Sequence, residues 1–324
     1  MLKYLALALT ALGLAAMVWL VGRTGMGEVI HGVERIGVLG FLLFMAWTGL
    51  CLTVMGAAWL AVTPGIERAH LRTFAWARTA REGATDVLPF SQFGGLVIGA
   101  RTAMSGGIRA GLVYASLVAD QTAELAAQLA FTLFGVAMLV IALSGGGRGA
   151  DLLPMILGGT AVLAAIMAGF AFAQRPLLKL AQGLAGHLLP GSVATMATLT
   201  AELDVIYRHR GRVIVAFLLH LAAWILSALG AWGALVFMGT RLPVTSVLTI
   251  EALIFTLRTV AFAIPGGVGV QEAAYVLLGP IFGLPPSAGL ALSLVKRARD
   301  LSVGVPAMLI WQIHEARALG KRAD

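Results

Sequence analysis

The chemistry open to this sequence is concentrated in a few charged side chains set among long apolar runs. The sharpest case reads Ser293-Leu294-Val295-Lys296-Arg297-Ala298-Arg299-Asp300-Leu301. Its charges fall near the middle of an apolar stretch at roughly 286–313. On insertion scales four such charges cost about 10 kcal/mol, against roughly 3–6 kcal/mol returned by the surrounding Leu, Ile and Val. Either this face lines a water-filled cavity, or the cluster ends a span on the cytoplasmic side and an interfacial helix follows. Lys296 and Asp300 are spaced to pair on one helix face. That leaves Arg297 and Arg299 as candidate anion binders, because a guanidinium fork suits phosphate.

A second group is Asp120, Glu124 and Gln128, which recur every four residues and share one helical stripe. The stripe reads as a proton or cation relay, as a hydrogen-bonding wall for hydroxylated head groups, or as an ion-pairing partner of the last basic cluster. Glu272 directly follows the sequence Ile264-Pro265-Gly266-Gly267-Val268-Gly269-Val270-Gln271. It either caps the helix that starts there or helps close a polar site. Arg258 precedes this break, and Arg101 ends an earlier broken stretch, as a phosphate ligand or as a snorkelling interfacial residue. Glu251 and Arg258 lie roughly 10 Å apart along a helix axis and do not pair directly. His220 reads as a packed, hydrogen-bonded core histidine. The candidate head-group path is thus Arg101, Asp120, Glu124, Gln128, Glu251, Arg258, Glu272, Lys296, Arg297, Arg299 and Asp300.

Missing motifs narrow the chemistry. There is no Walker A pattern for ATP and no His-Glu-x-x-His, and the 6 histidines are scattered. The single Cys51 excludes an intramolecular disulfide and a cysteine metal cluster. Glu202-x-Asp204 comes nearest to a nucleotide-sugar metal pair, but reads as a solvated helix face. No catalytic residue, cofactor or metal is expected.

These residues must be positioned by elements dissolved in a bilayer. Of 324 residues, 59% are hydrophobic and only 12% charged, with a mean hydropathy of +0.92. Too few polar side chains exist to cover a soluble domain, or to keep a chain disordered. The excess of 23 Lys plus Arg over 15 Asp plus Glu reads as cytoplasmic loops and contact with anionic lipid rather than nucleic acid.

The expected fold is all-α: a polytopic integral membrane protein of about six full spans plus two re-entrant helical hairpins. Leu2–Val21 exceeds a signal-peptide core and reads as a first span; others fall at roughly 37–62, 107–143, 152–173, 212–239 and 286–313. The stretches 70–105 and 245–283 are interrupted, the first around Pro89, Gly94 and Gly95, the second around Pro265, Gly266, Gly267 and Gly269. Proline removes a donor and glycine loosens a helix, so both read as hairpins sheltered by protein or water.

Basic residues at 65–85, at 175–212 and in the tail place those segments and both termini in the cytoplasm. Laid over each other at an offset of 176, the halves align Pro89 with Pro265, Gly107 with Gly283 and Glu124 with Asp300. This suggests an inverted repeat: 1–174 as the first unit, 175–211 as an amphipathic cytoplasmic linker, and 212–324 as the second. Leu96 stands where Glu272 would map, so the two breaks are not equivalent.

At Pro265-Gly266-Gly267-Val268-Gly269-Val270-Gln271-Glu272, with Gly283-Leu284-Pro285 and Arg297-Ala298-Arg299-Asp300 following, the chain resembles the lysylphosphatidylglycerol-synthase transmembrane-region family over most of its length. Leu88-Pro89-Phe90-Ser91-Gln92-Phe93-Gly94-Gly95, Gly99-Ala100-Arg101 and Val118-Ala119-Asp120-Gln121-Thr122-Ala123-Glu124 resemble its hopanoid biosynthesis-associated (HpnL-type) branch. The resemblance implies a bacterial inner-membrane, flippase-like protein that handles hopanoids for delivery toward the outer membrane. Pro265, Gly266, Gly267 and Glu272 would form the family's core motif. Its partners would be membrane lipids, hopanoid or phospholipid, and other lipid-synthesis proteins, with no nucleic acid. The synthase's soluble aminoacyl-transferring domain is not expected here, so lipid lysylation would not be inherited. The alternatives are a membrane-embedded transferase acting on a lipid-linked substrate, with Glu272 or Asp120 as base, and a scaffold acting through 175–212.

Overall fold

The computed structural model describes residues 26–87, 91–144, 192–260 and 268–323, with the single positions 158, 161 and 165. The expected span at 2–21, that at 152–173 apart from those three positions, the first part of the 175–211 linker, and Pro89, Pro265, Gly266 and Gly267 lie outside them. Among the described residues all regular structure is helical. The helices are α1 (Met26–Arg35), α2 (Gly37–Ala61), α3 (Leu71–Val87), α4 (Ser91–Ser105), α5 (Ala110–Ser144), α6 (Ser192–Arg208), α7 (Arg210–Phe237), α8 (Val244–Val260), α9 (Val270–Leu278) and α10 (Pro286–Ala323). Short 3-10 turns lie at Arg68–His70 and Gly279–Phe282.

Helices α2, α5 and α7 are long and apolar enough to cross a membrane, as expected at 37–62, 107–143 and 212–239. Their large apolar side chains are exposed at many positions, among them Leu39, Leu42, Ile141, Ile214 and Leu218, which suits helices bathed in lipid. The chain is an all-α integral membrane protein.

Both interrupted stretches fold back on themselves. A Cβ built on Gly95 of α4 would lie 2.5 Å from Thr85 Oγ1 and 2.7 Å from the Arg81 carbonyl of α3. One built on Gly106 would meet Thr73 Cγ2 at 2.5 Å. These contacts pair the near and far ends of α3 and α4 as an antiparallel hairpin. Gly94 and Gly95 therefore sit inside α4 rather than in the break, and Gly95 is small so that the two helices can touch. In the second hairpin Arg258 of α8 meets Gln271 of α9, and Glu251 meets Tyr275 further down. Gly269, at φ 82°, opens α9 in a conformation that favours glycine.

Two elements depart from the sequence reading. The helix α1 lies between apolar runs and is amphipathic, with Glu28 in its first turn and Arg35 in its last, matching the helix dipole. It packs on α10, where Gly32 approaches Ala291. The last span does not stop at 313: α10 continues through Pro306 to Ala323, about 57 Å at 1.5 Å per residue. The tail from Gln312 on is rich in Glu, Ala, Arg, Leu and Lys, all good helix formers, so nothing ends the helix there.

Helix boundaries recur at the offset of 176. Ala110 and Pro286 begin the two longest helices among the described residues, and Gly107 (φ 86°) and Gly283 (φ 84°) precede them in the same left-handed conformation. The described residues form two compact units. One holds those up to Leu52, Arg78–Gly99 and those from Ile225 on; the other holds Thr53–Ala77 and Ala100–Trp224.

The first unit is cored by Phe44, Leu235, Ile250, Ile254, Leu290 and Leu292. In the second, the Trp59 indole donates to Ser116 Oγ at 3.0 Å and stands edge-on to Phe74 at 5.3 Å, tying α2 to α5 and α3.

Candidate functional site

Seven of the expected residues meet in the first unit, on α8, α9 and α10. Lys296 lies near the middle of α10 and donates from Nζ to Oε2 of Glu251 on α8 at 2.7 Å. The Tyr275 hydroxyl of α9 donates to the other oxygen of Glu251, and Lys296 Nζ lies 3.1 Å from that hydroxyl. The ammonium also sits 5.4 Å from the Phe255 ring centroid. Glu251 and Lys296 are both buried. An unpaired charge there would cost several kcal/mol, so each requires the other.

This replaces the expected Lys296–Asp300 pairing. Spacing along one helix permits that pair, but a buried Glu251 on a neighbouring helix is the stronger claimant. Asp300 instead accepts from Nε of its neighbour Arg299 at 2.9 Å. The Arg299 guanidinium stands 5.2 Å over the Phe44 ring.

Glu272 is the second hub. Its Oε2 accepts the Gly269 N–H at 2.8 Å, which closes the N-terminus of α9. Its Oε1 accepts from Ser293 Oγ at 2.7 Å and from Arg297 Nε at 3.3 Å. The two readings of Glu272, a cap and a member of a polar site, thus hold together. Gln271 donates to Ser293 Oγ at 2.9 Å and accepts from Arg258 Nη1 at 3.3 Å. Arg258 in turn faces Asp86 of α3 at 3.7 Å. Arg258 does not pair with Glu251, as their spacing requires.

The network grades from sealed to open. Glu251, Glu272 and Lys296 are shut in, whereas Arg297 retains 19% of its side-chain exposure, and Arg258 and Asp86 retain 21% each. Four carboxylates (Asp86, Glu251, Glu272, Asp300) alternate with four cations (Arg258, Lys296, Arg297, Arg299). In sequence, 88–90 and 261–267 contain no charged residue. Beside the network lies an open apolar groove of about 400 Å³, lined by Val33, Phe41, Leu42, Val295 and Ala298 among others. Such an arrangement offers hydrogen-bond donors and acceptors in close alternation next to an apolar wall.

The other candidates belong to the second unit. Asp120, Glu124 and Gln128 form one buried stripe on α5, and His220 of α7 holds Asp120 Oδ1 through Nε2 at 2.8 Å. The core-histidine reading of His220 is thus met by a carboxylate partner. Arg101 is exposed at the end of α4. Glu202 is held 3.1 Å from Arg109, an ion pair at the surface.

Sequence reasoning missed Asp86, Gln271, Tyr275 and Ser293. Asp86 carried a usable signal, as an acid just before the Leu88-Pro89 interruption. Tyr275 and Ser293 carried none, since each is an ordinary residue of its helix until the partner helix is placed.

Residues 4–307 match the family model described as the lysylphosphatidylglycerol synthase TM region. No curated protein and no solved structure matches the chain.

Proposed function

Because the chain belongs to the lysylphosphatidylglycerol synthase transmembrane-region family, we propose that it is a bacterial inner-membrane lipid transporter of the flippase type, with a hopanoid as cargo and delivery toward the outer membrane as its role. The observation that carries this reading is the paired charge network of α8, α9 and α10, buried at one end and open at the other. A lipid head group needs polar partners while it leaves water, and its tail needs an apolar wall. The network supplies the first and the adjacent groove the second. Charges this costly in a membrane are retained where polar cargo or ions must pass.

The same reading places both hairpins as re-entrant elements of an inverted repeat, with both termini cytoplasmic. The recurrence of helix starts at Ala110 and Pro286, each after a left-handed glycine, supports the repeat. Helix N-termini at such breaks face cargo in many transporters, and the start of α9 at Val270, closed by Glu272, is the matching feature here.

The test replaces Glu272 or Arg299 by alanine and measures lipid distribution between inner and outer membranes. Altered distribution at normal expression is expected. Unchanged distribution overturns the site. Mass spectrometry of lipid retained by the purified protein identifies the cargo, and a new covalent product on incubation with a lipid-linked donor would favour a transferase instead.

A further inference from the structure

The second unit holds a polar constellation that the lipid reading does not use. Asp120 and Glu124 stand one turn apart on α5, and His220 faces them from α7. One oxygen from each carboxylate and one ring nitrogen all lie within 4.8 Å of one another. All three residues are buried.

We propose that Asp120, Glu124 and His220 form a binding site for a divalent transition-metal ion, with zinc the best match. One imidazole nitrogen with two carboxylate oxygens is a donor set for zinc and its first-row neighbours; magnesium and calcium favour oxygen alone. Ligand atoms at about 2.0–2.2 Å from such an ion stand about 3–3.6 Å apart. Binding an ion would draw the observed spread, up to 4.8 Å, into this range. The i, i+4 spacing aims both carboxylates from the same helix face, so one ion can take both.

The surroundings fit. Gln121 Nε2 donates to Glu124 Oε2 at 3.2 Å and orients that carboxylate, as outer partners of metal ligands do. The imidazole is tethered only through Nε2, because Nδ1 makes no hydrogen bond among the described residues. It can therefore turn toward an ion without breaking a second contact. A divalent ion with two carboxylates is neutral, the charge state that an apolar helix environment favours. The bound ion would clamp α5 to α7.

The test uses the full-length protein, purified in detergent without a histidine tag and stripped with EDTA. Zinc chloride alone is titrated in competition with a chromophoric chelator, and retained metal is counted by mass spectrometry after desalting. The expected result is about one zinc per chain, a raised Tm in its presence, and binding weaker by about tenfold or more in Glu124→Gln and His220→Gln. Replacing the exposed His31 and His314 by alanine should leave binding unchanged. Failure of the wild-type chain to retain stoichiometric zinc overturns the proposal, as does wild-type affinity in folded Glu124→Gln and His220→Gln. X-ray absorption of the zinc-loaded wild-type chain decides the matter without any variant. A shell of one imidazole with oxygen ligands supports the site; a shell without imidazole, or with several, overturns it.

Discussion

Lys296 and Glu251 lie 45 residues apart in sequence and meet through a 2.7 Å contact with both side chains buried. A buried pair of this kind adds little stability over a well-packed apolar pair, but losing one member strands the other. Lys296→Met should therefore cost about 3–5 kcal/mol. The double variant with Glu251→Gln should recover much of that loss. A double-mutant cycle on unfolding in detergent measures it, and strict additivity would show that the pair does not act as a unit.

Glu272 has three partners, one at the start of its own helix and two on α10, so its variants should separate. Glu272→Gln keeps an oxygen that can accept the Gly269 N–H but loses the charge facing Arg297. Glu272→Ala loses both, and also removes the acceptor of the Ser293 hydroxyl, which keeps its bond from Gln271. We expect the alanine variant to be less stable than the glutamine variant by about 1 kcal/mol, the usual worth of a helix cap. Both should alter lipid distribution if the charge contact matters to cargo.

Gly56 tests helix packing. A Cβ there would lie 2.6 Å from the backbone N and Cα of Ala75, atoms that cannot give way. Gly56→Ala should cost about 1–3 kcal/mol through forced separation of α2 from α3. Gly49, on the same helix, has nothing within 4 Å of its would-be Cβ. Gly49→Ala should be neutral or gain up to about 1 kcal/mol from helix propensity. Tm values of the two variants, read side by side, check the contrast.

The surface pair Arg109–Glu202 should matter little. Arg109 is 75% exposed, and such pairs are worth about 0–1 kcal/mol. Arg109→Ala should leave Tm within about one or two degrees of wild type. A large drop would mean that this contact anchors α6 more firmly than its exposure suggests.

The helices were legible because lipid demands long apolar runs, and the hairpins because Pro and Gly interrupt them. The end of α10 was not, since a hydropathy pattern registers where apolar character stops and not where helical hydrogen bonding stops. For the same reason α1 escaped notice: its apolar face is too narrow to stand out between spans. Within the site, the positions of Glu251, Glu272 and the α10 cluster were readable as charges in costly places. Their pairing was not. Lys296 chooses Glu251 over Asp300 because of how α8 and α10 pack, and no spacing rule along one helix contains that. His220 shows the same limit, as its carboxylate partner lies 100 residues away.

The charge count of the network bears on membrane voltage: α8–α10 carry three of its carboxylates and all four cations, and Asp86 of α3 is the fourth carboxylate. A unit charge crossing the membrane field exchanges about 2.3 kcal/mol per 100 mV. A network of four formal negative and four formal positive charges, moved as a body, exchanges none. Rearrangement of these helices together with Asp86 of α3 would carry no gating charge from the network. Any dependence of lipid movement on membrane potential would then report the charge of the cargo, or of ions travelling with it.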